Sequence, residues 1–590
     1  MQRIFPKIAT MPRKCSAMKM SKLLTANEDQ KCLNLNASDI ISASMARSQT
    51  AVVTDTLNRT DAIPLLDPID DSAATFEVST HRIDPSITVD KSPLPFEEIP
   101  GPAILKLWEK YWKYVPLLGT QLFSSLLINR FTQGRLSWNR NVTPLKYLFN
   151  EYGCIVRVNG PLSGDIVMIH RPEHIAEVFK QEGDTPVRSG IDILQHYHLH
   201  HRKYRLAGPF SLQASDWLEI REKVENDFKN MASTFFGKID LVCDELIARI
   251  YKTRNKQDEV PCDFHEDVMR WAMECFSTIV FNKHVGFLDT AGYNVTSEPS
   301  QIISAVATAH KYMNRCETGF QVWRFFLTPF AKNLFGACDV LDGLIGKHVR
   351  QAQNKLRSRP FLGNRTESVE EESPVLEKLL LADGVHSDDI CTVLMDMIIL
   401  GVQATANCEA FLMYHLAKNP RTQKKLFDEI MNVLPTINSA ITEGSLKEMR
   451  YLKACLQESL RLRPAFPYFT RLLPKTISLH GYTIPKGTFV IMANQISSLR
   501  EENYEDPEKF RPERWLSSNC EENTDFSCLP FGYGIRSCLG KNIAETTMML
   551  LTAKIVRQFR IEYDYADIKS KFMMMNVPNK PLRFRFVERI

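Results

Sequence analysis

The longest apolar stretch of the chain runs from Ser387 to Lys418 without a proline and stops at Asn419-Pro420. A helix of that length spans about 48 Å, and one apolar through its middle has to cross a core. Helical spacing of apolar positions also predicts helices over Asp263–Phe281, Ile302–Arg350 (broken near Gly319 and Pro329), Lys453–Arg463 and Pro172–Gly183. Two stretches alternate instead. One covers residues 152–169; the other covers 469–492, where turns at His480-Gly481 and Pro485-Lys486-Gly487 separate the strands. Residues 360–373 are polar and charged and read as a loop. The pattern predicts a mainly α fold with small β-sheets.

Residues 1–92 break with this pattern. Up to residue 27 there are Arg3, Lys7, Arg13, Lys14, Lys19 and Lys22, no acidic residue, and interleaved Ile4, Phe5, Ile8 and Met11. That is the composition of a basic amphipathic mitochondrial presequence. Residues 28–92 turn acidic and rich in Ser, Thr, Asp and Ala, which predicts disorder. Order is expected from about Pro95, where Pro100-Gly101-Pro102 forces a turn. The expected division is 1–27, 28–92 and one large domain over 93–590.

Charge and cysteines narrow the partners. With 73 basic against 69 acidic residues, a net charge of +4, nothing marks a nucleic-acid binder. The 14 cysteines form no CxxC pair, which argues against a disulfide or zinc framework and for a reducing compartment. Tyr114–Asn129 is uncharged but holds Pro116 and Gln121 and is shorter than the roughly 20 residues a spanning helix needs, so no membrane span is expected. The run His196-Tyr-His-Leu-His-His201 has no carboxylate or cysteine to complete a metal shell and is expected to be a surface loop.

The candidate chemistry lies near the C-terminus, in Phe531-Gly-Tyr-Gly-Ile-Arg-Ser-Cys-Leu-Gly540. Gly532 and Gly534 let the backbone turn where a Cβ would clash. Upstream, Glu458-Ser-Leu-Arg461 sets a carboxylate and a guanidinium at i and i+3 on one helix face, within apolar surroundings that favour burial. A buried pair needs further partners, and Arg514 of Phe510-Arg-Pro-Glu-Arg-Trp515 is the candidate. Trp217-Leu-Glu-Ile-Arg221 places an indole and a guanidinium at i and i+4 behind a Ser215-Asp216 cap.

These elements resemble the cytochrome P450 family. The stretch 531–540 matches F-x-x-G-x-R-x-C-x-G at all five fixed positions, and E-x-x-R, W-x-x-x-R and P-E-R-F (with Trp515 for Phe) follow in family order over about 93–590. The resemblance implies the P450 fold, with haem b between the long distal helix and the cysteine loop. Cys538 would be the axial thiolate ligand of the iron, Phe531 would cover the sulfur, and Gly540 would leave room under the macrocycle. Trp217, Arg221, Arg471 and Arg536 would contact haem propionates. Glu458, Arg461 and Arg514 would be structural. The presequence, the missing anchor and the entry "PFEEIPGP" make the chain look like an insect mitochondrial P450. Such an enzyme is expected on the matrix side of the inner membrane, peripherally bound and reduced by a ferredoxin with its NADPH-dependent reductase. Lys453 matches one family docking residue, the second position is Gln457, and Lys541 and Arg463 are candidates to compensate.

A thiolate ligand favours O–O cleavage. The implied reaction is monooxygenation with O2 of a lipophilic substrate, a steroid hormone or a foreign compound such as an insecticide. One departure bears on this. Where the family carries A-G-x-[DE]-T on the long helix, this chain has Leu400-Gly401-Val402-Gln403-Ala404, followed by Thr405. Gln403 and Thr405 are the tentative proton or water relay. The departure leaves two other readings open, an isomerase or dehydratase that needs neither O2 nor reductant, and a non-catalytic haem sensor.

Overall fold

The computed structural model describes residues 93–589 apart from 103–143, 159–164, 230, 261–262, 290–296, 319–320, 359–374, 383, 437–438 and 517–525. The expectations for 1–27, 28–92 and 114–129 lie outside the described residues. The main helices are α1 Pro144–Tyr152, α2 Pro172–Lys180, α3 Asp192–His196, α4 Ala214–Lys229, α5 Phe236–Thr253, α6 Phe264–Phe281, α7 Glu298–Thr318, α8 Pro329–Ser358, α9 Val375–Leu381, α10 Ser387–Lys418, α11 Pro420–Val433, α12 Arg450–Leu462 and α13 Lys541–Gln558. The strands are β1 Ile155–Val158, β2 Ile166–Ile169, β3 Phe469–Leu472, β4 Ile477–Leu479, β5 Tyr482–Ile484, β6 Phe489–Met492, β7 Phe559–Glu562, β8 Ser570–Phe572, β9 Asn576–Pro578 and β10 Arg585–Glu588.

One four-stranded sheet has the order β1-β2-β6-β3, with β2 parallel to β6 and the other pairs antiparallel. Alternate side chains leave a strand on opposite faces, and here both faces are covered. Val156, Val158, Met168 and Ile491 pack with Leu148 and Phe149 of α1. Ile155, Val167, Val490 and Met492 pack with Ile175 and Val178 of α2. The turn at Pro100-Gly101-Pro102 docks against this sheet. Arg157 donates its amide to the Pro100 carbonyl at 2.8 Å, and a Cβ at Gly101 would overlap the Arg157 carbonyl. Three two-stranded sheets, β4-β5, β7-β10 and β8-β9, complete the β structure among the described residues.

The helices share one large core, and α10 crosses it between α6, α12 and α13. Among the described residues α10 alone is long and apolar enough to cross a membrane, but most of its apolar stretch is buried inside the protein. Fully burying each Leu, Ile, Met or Phe stabilises by about 1.5–3 kcal/mol, so side chains such as Ile399, Phe411, Leu412 and Met413 fix α10 in place. The helix is not α-helical throughout. Met397–Val402 form a π-helical turn, the kind of local widening that loosens the backbone ladder. Inside it the Ile399 carbonyl accepts a hydrogen bond from Nε2 of buried His310 on α7, 2.9 Å away.

Two local expectations differ. The histidine run is not a loop, because α3 continues into a π-helical turn over Tyr197–His201. His198 is fully buried and burial lowers its pKa to about 4, while His200 and His201 stay partly or fully outside. No group of metal-ligating side chains forms there or elsewhere among the described residues. Helix α4 starts one residue before Ser215, so Ser215 and Asp216 lie in its first turn rather than capping it.

Candidate active site

The ten residues from Phe531 to Gly540 close a loop that offers one sulfur to the interior. The Cys538 amide donates to the Phe531 carbonyl at 2.9 Å and the Ser537 amide to Gly534 at 3.0 Å. Gly532 and Gly534 have φ of +74° and +69°, and at Gly534 a Cβ would also press on the Glu182 carboxylate. The loop opens α13, with Gly540 at the N-cap. The Gly540 amide hydrogen-bonds the Cys538 sulfur, which makes its backbone N–H, more than its missing side chain, the useful feature. A Cβ at 540 would meet only ordinary contacts at 3.6 and 3.9 Å within the protein.

The exposed surface of Cys538 faces a cavity of about 470 Å³ rather than bulk solvent. Burial raises its thiol pKa, opposed by the Gly540 amide and by Arg221 and Arg188. A metal ion removes that proton outright on binding. The walls come from α4, α6, α10, the segment 465–471, the cysteine loop and the tip of the β8–β9 hairpin, and most of the lining is apolar.

Four guanidinium groups, Arg188, Arg221, Arg471 and Arg536, line the same cavity. Arg471 pairs with Glu182, and Arg221 reaches Glu225 at 3.3 Å and the Ser537 carbonyl at 2.7 Å. Trp217 and Arg221 both line the cavity, and the indole face also supports Arg536, whose guanidinium carbon lies 3.7 Å from the ring centroid. Arg536 donates to the carbonyls of Pro186 and Leu212, yet its Nη1 is buried without a partner. Arg188, stacked on Phe210 at 4.4 Å, has a buried, unpartnered Nε. Burial and the neighbouring cations pull Arg536 down to about 8 and Arg188 to about 10. Such cations are costly until an anion meets them. Two unsatisfied guanidinium groups beside a thiol in one apolar cavity fit a flat group bearing iron and carboxylates. Sequence reasoning missed Arg188, because a lone arginine in an irregular loop leaves no periodic or spacing signal.

Behind the cysteine loop, Glu458 and Arg461 of α12 are fully buried. They meet twice, Nε to Oε2 at 2.9 Å and Nη2 to Oε1 at 2.8 Å. Arg514 Nε joins Oε1 at 3.1 Å, the Arg511 amide donates there too, and Trp515 Nε1 donates to Oε2 at 2.9 Å. The indole thus adds a hydrogen bond that a Phe could not make. Arg461 also donates to the Ser498 carbonyl. The structure brings this group together as the spacing predicts.

On α10 the relay residues part company. Thr405 and Ala404 line the cavity, and Thr405 donates its hydroxyl to Gly401, 3.1 Å away. Gln403 does not line it. Its amide donates to Asn407 Oδ1 at 3.2 Å, and His265 of α6 holds the same oxygen at 2.7 Å. Gln403 thus sits in a hydrogen-bonded chain that reaches α6 through Asn407 and His265.

Lys453 and Lys541 are exposed and flank Glu545 at the start of α13. Arg463 is mostly buried, with its pKa lowered by burial and Nη1 on the Leu462 carbonyl, so it does not share their exposed surface. Phe531 lines the cavity with Lys541 6.0 Å from its ring centroid.

A family model described as Cytochrome P450 matches residues 123–586. The chain is 32% identical over 515 residues to "Probable cytochrome P450 12a5, mitochondrial" of Drosophila melanogaster, covering 84% of this chain and 91% of that protein. It is 31% identical to "Cytochrome P450 CYP12A2" of Musca domestica, covering 78% and 89%. With "Cytochrome P450 302a1, mitochondrial" of Drosophila melanogaster it shares 26% identity over 83% and 94%. The thiol-bearing loop, the buried Glu458–Arg461 pair and a match over most of the chain agree: this chain belongs to the cytochrome P450 family, the haem-iron monooxygenases.

Proposed function

We propose that this P450 binds haem b and inserts one atom of O2 into a lipophilic substrate, a steroid-like hormone or a foreign compound, with electrons from a mitochondrial ferredoxin and its NADPH-dependent reductase. The observation that carries this is the Cys538 thiol facing an apolar cavity that four arginines border. When bound, the haem iron supplies the oxygen chemistry. Cys538 would be the residue that ligates it. Arg188, Arg471 and Arg536 hold its carboxylates, with Trp217 supporting Arg536. Apolar walls that include Phe466, Phe469 and Met397 exclude water and take the substrate.

Protons are left to Thr405 and water. A threonine in a helix has two accessible χ1 rotamers, so the Thr405 hydroxyl can leave the Gly401 carbonyl for the cavity. Loss of the usual acid–Thr pair is the observation that favours the isomerase reading, which would need no reductant. The test is incorporation of heavy-isotope O2 by holoprotein given ferredoxin, reductase, NADPH and a lipid extract. A ferredoxin-dependent product with one heavy oxygen is expected; turnover of a peroxide without reductant would overturn the monooxygenase reading.

Lys453 and Lys541 support ferredoxin docking on the cysteine side. Lys453→Glu should slow ferredoxin-driven haem reduction about tenfold, a typical loss for a steering charge, at unchanged haem content. Equal stopped-flow rates would remove this surface from the docking site. Exposed Phe325, Phe326 and Leu327, between α7 and α8, with Phe330 beside Arg315, support peripheral binding to the matrix face of the inner membrane. Co-sedimentation with anionic vesicles that survives Phe326→Asp would argue against it.

A further inference from the structure

The cavity wall carries one carboxyl group that neither the cysteine side nor the proton relay uses. Asp396 is the last residue of α10 before its π-helical turn, lines the cavity and is 6% exposed. Its Oδ2 accepts the Phe210 amide at 2.9 Å, while Oδ1 is buried without a partner. Among the described residues no cation forms an ion pair with it. Arg188 is near enough to act on it electrostatically but stacks on Phe210 instead. Burial raises the Asp396 pKa to about 7.

The fold is arranged around this carboxyl group. A Cβ at Gly208 would collide with it, so the loop that carries Phe210 passes close only because residue 208 is glycine. Phe210 itself lines the cavity and tilts against Phe466, with centroids 5.9 Å apart. A buried, half-satisfied carboxyl group is costly where it serves packing alone. Position separates it from the relay. Thr405 is nine residues on, at most about 13 Å along the helix at the α-helical 1.5 Å per residue, because the π-helical turn between them is wider and rises less. Asp396 is therefore out of reach of a reaction beside Thr405, but well placed for the far end of an elongated substrate.

We propose that Asp396 is a specificity-determining anchor, accepting a hydrogen bond from an O–H or N–H donor, a hydroxyl or a protonated amine, at one end of an otherwise apolar substrate. This rests on the haem reading of the cavity, since that fixes which end reacts. In an apolar pocket a group that satisfies a buried acceptor discriminates more strongly than added apolar surface does. Substrates with such a head group would thus bind in one orientation, with the atom to be oxidised carried about one elongated ring system away from the anchor.

The test uses the reduced, CO-bound holoprotein, so that an amine cannot coordinate the iron, and measures binding by equilibrium dialysis. The probes are 4-phenylcyclohexanol, its methyl ether and 4-phenylcyclohexylamine. The expected result is at least tenfold tighter binding of the alcohol or the amine than of the ether. Asp396→Asn keeps an acceptor for the Phe210 amide and the same volume. If the natural head group is an amine, this variant loses the amine preference at least tenfold. If it is a hydroxyl, which can also accept from the amide, Asn costs less than threefold and Asp396→Leu at least tenfold. Equal affinity for alcohol, amine and ether in the native protein overturns the anchor, and so does an equal loss for all three in the variants, the mark of a residue that only shapes the loop. A normal thiolate CO complex alongside either of these leaves the haem reading standing; its absence in the native protein removes that reading instead.

Discussion

The two sides of the cavity are built by different rules. Behind the cysteine loop the central carboxylate is satisfied by short-range, directional bonds: Glu458 alone receives Arg461 twice, Arg514, Trp515 and the Arg511 amide, and the open Nη1 of Arg536 is left for an anion in the cavity. On the α10 side the backbone widens into a π-helical turn, the acid–Thr pair is replaced, and Asp396 and Asn407 keep buried atoms without partners. The first side holds one electronic environment constant. The second is free to change with the substrate, because nothing but packing and a few weak polar ties fixes it.

If that contrast is right, damage to the cysteine side should be severe and general. Cys538→Ala is expected to abolish turnover and the thiolate-type CO complex, since Cys538 carries the one sulfur of the 531–540 loop. A normal CO spectrum would break the assignment. Next comes Glu458→Gln, which leaves Arg461 and Arg514 facing a neutral amide in a buried site. Removing one partner of a buried ionic group costs about 3–5 kcal/mol, so denaturant unfolding should show a loss of that size or the protein should fail to accumulate. A loss under 1 kcal/mol would mean that the network is redundant.

This side was also the legible one. Within Phe531–Gly540 each fixed residue answers a local requirement, and Glu458–Arg461 is a helical i, i+3 pair whose burial the apolar neighbours announce. The strands at 155–169 and 469–492 and the helix breaks near 319 and 329 follow from periodicity in the same way. Elsewhere the decisive forces are tertiary. The histidine run reads as polar, but His198 is desolvated by the helices packed over it. Within the π-helical turn of α10 the Ile399 carbonyl is held by His310 from α7, a partner about ninety positions away in the sequence. Arg188 sits in a loop with no period to detect. Asp396 did leave a signal, a single acid in the apolar run "VLMDMIILG".

Glu409 ties the two sides together, on α10 with Oε1 accepting from Thr552 of α13 at 2.9 Å. Burial raises its pKa to about 8. Its folded pKa lies above the ordinary carboxylate value, so the folded state binds the extra proton. Stability should therefore fall as pH rises between about 4.5 and 8, and level off beyond. Glu409→Gln removes the titration. It is expected to flatten this slope and to stabilise by about 1–3 kcal/mol at pH 8, since each pKa unit is worth about 1.4 kcal/mol. Parallel stability–pH curves for the two proteins would show that Glu409 is not the titrating group.

The finest discrimination lies within α10 itself, between two residues one turn-fraction apart. Thr405 lines the cavity and can offer its hydroxyl, whereas Gln403 donates to Asn407, the oxygen that His265 also holds, outside it. Thr405→Val keeps the shape and removes the proton carrier. It should lower product formed per NADPH consumed and slow turnover about tenfold, near the low end for loss of a positioned proton donor. Gln403→Met, which fills a similar volume, should leave that coupling ratio within about twofold and act only on stability, by roughly 1 kcal/mol for the lost hydrogen bond. The reverse pattern would place the relay on the α6 side, through His265, and would make the glutamine that replaced an acid a catalytic residue after all. Equal, small effects in both variants would assign proton delivery to water alone.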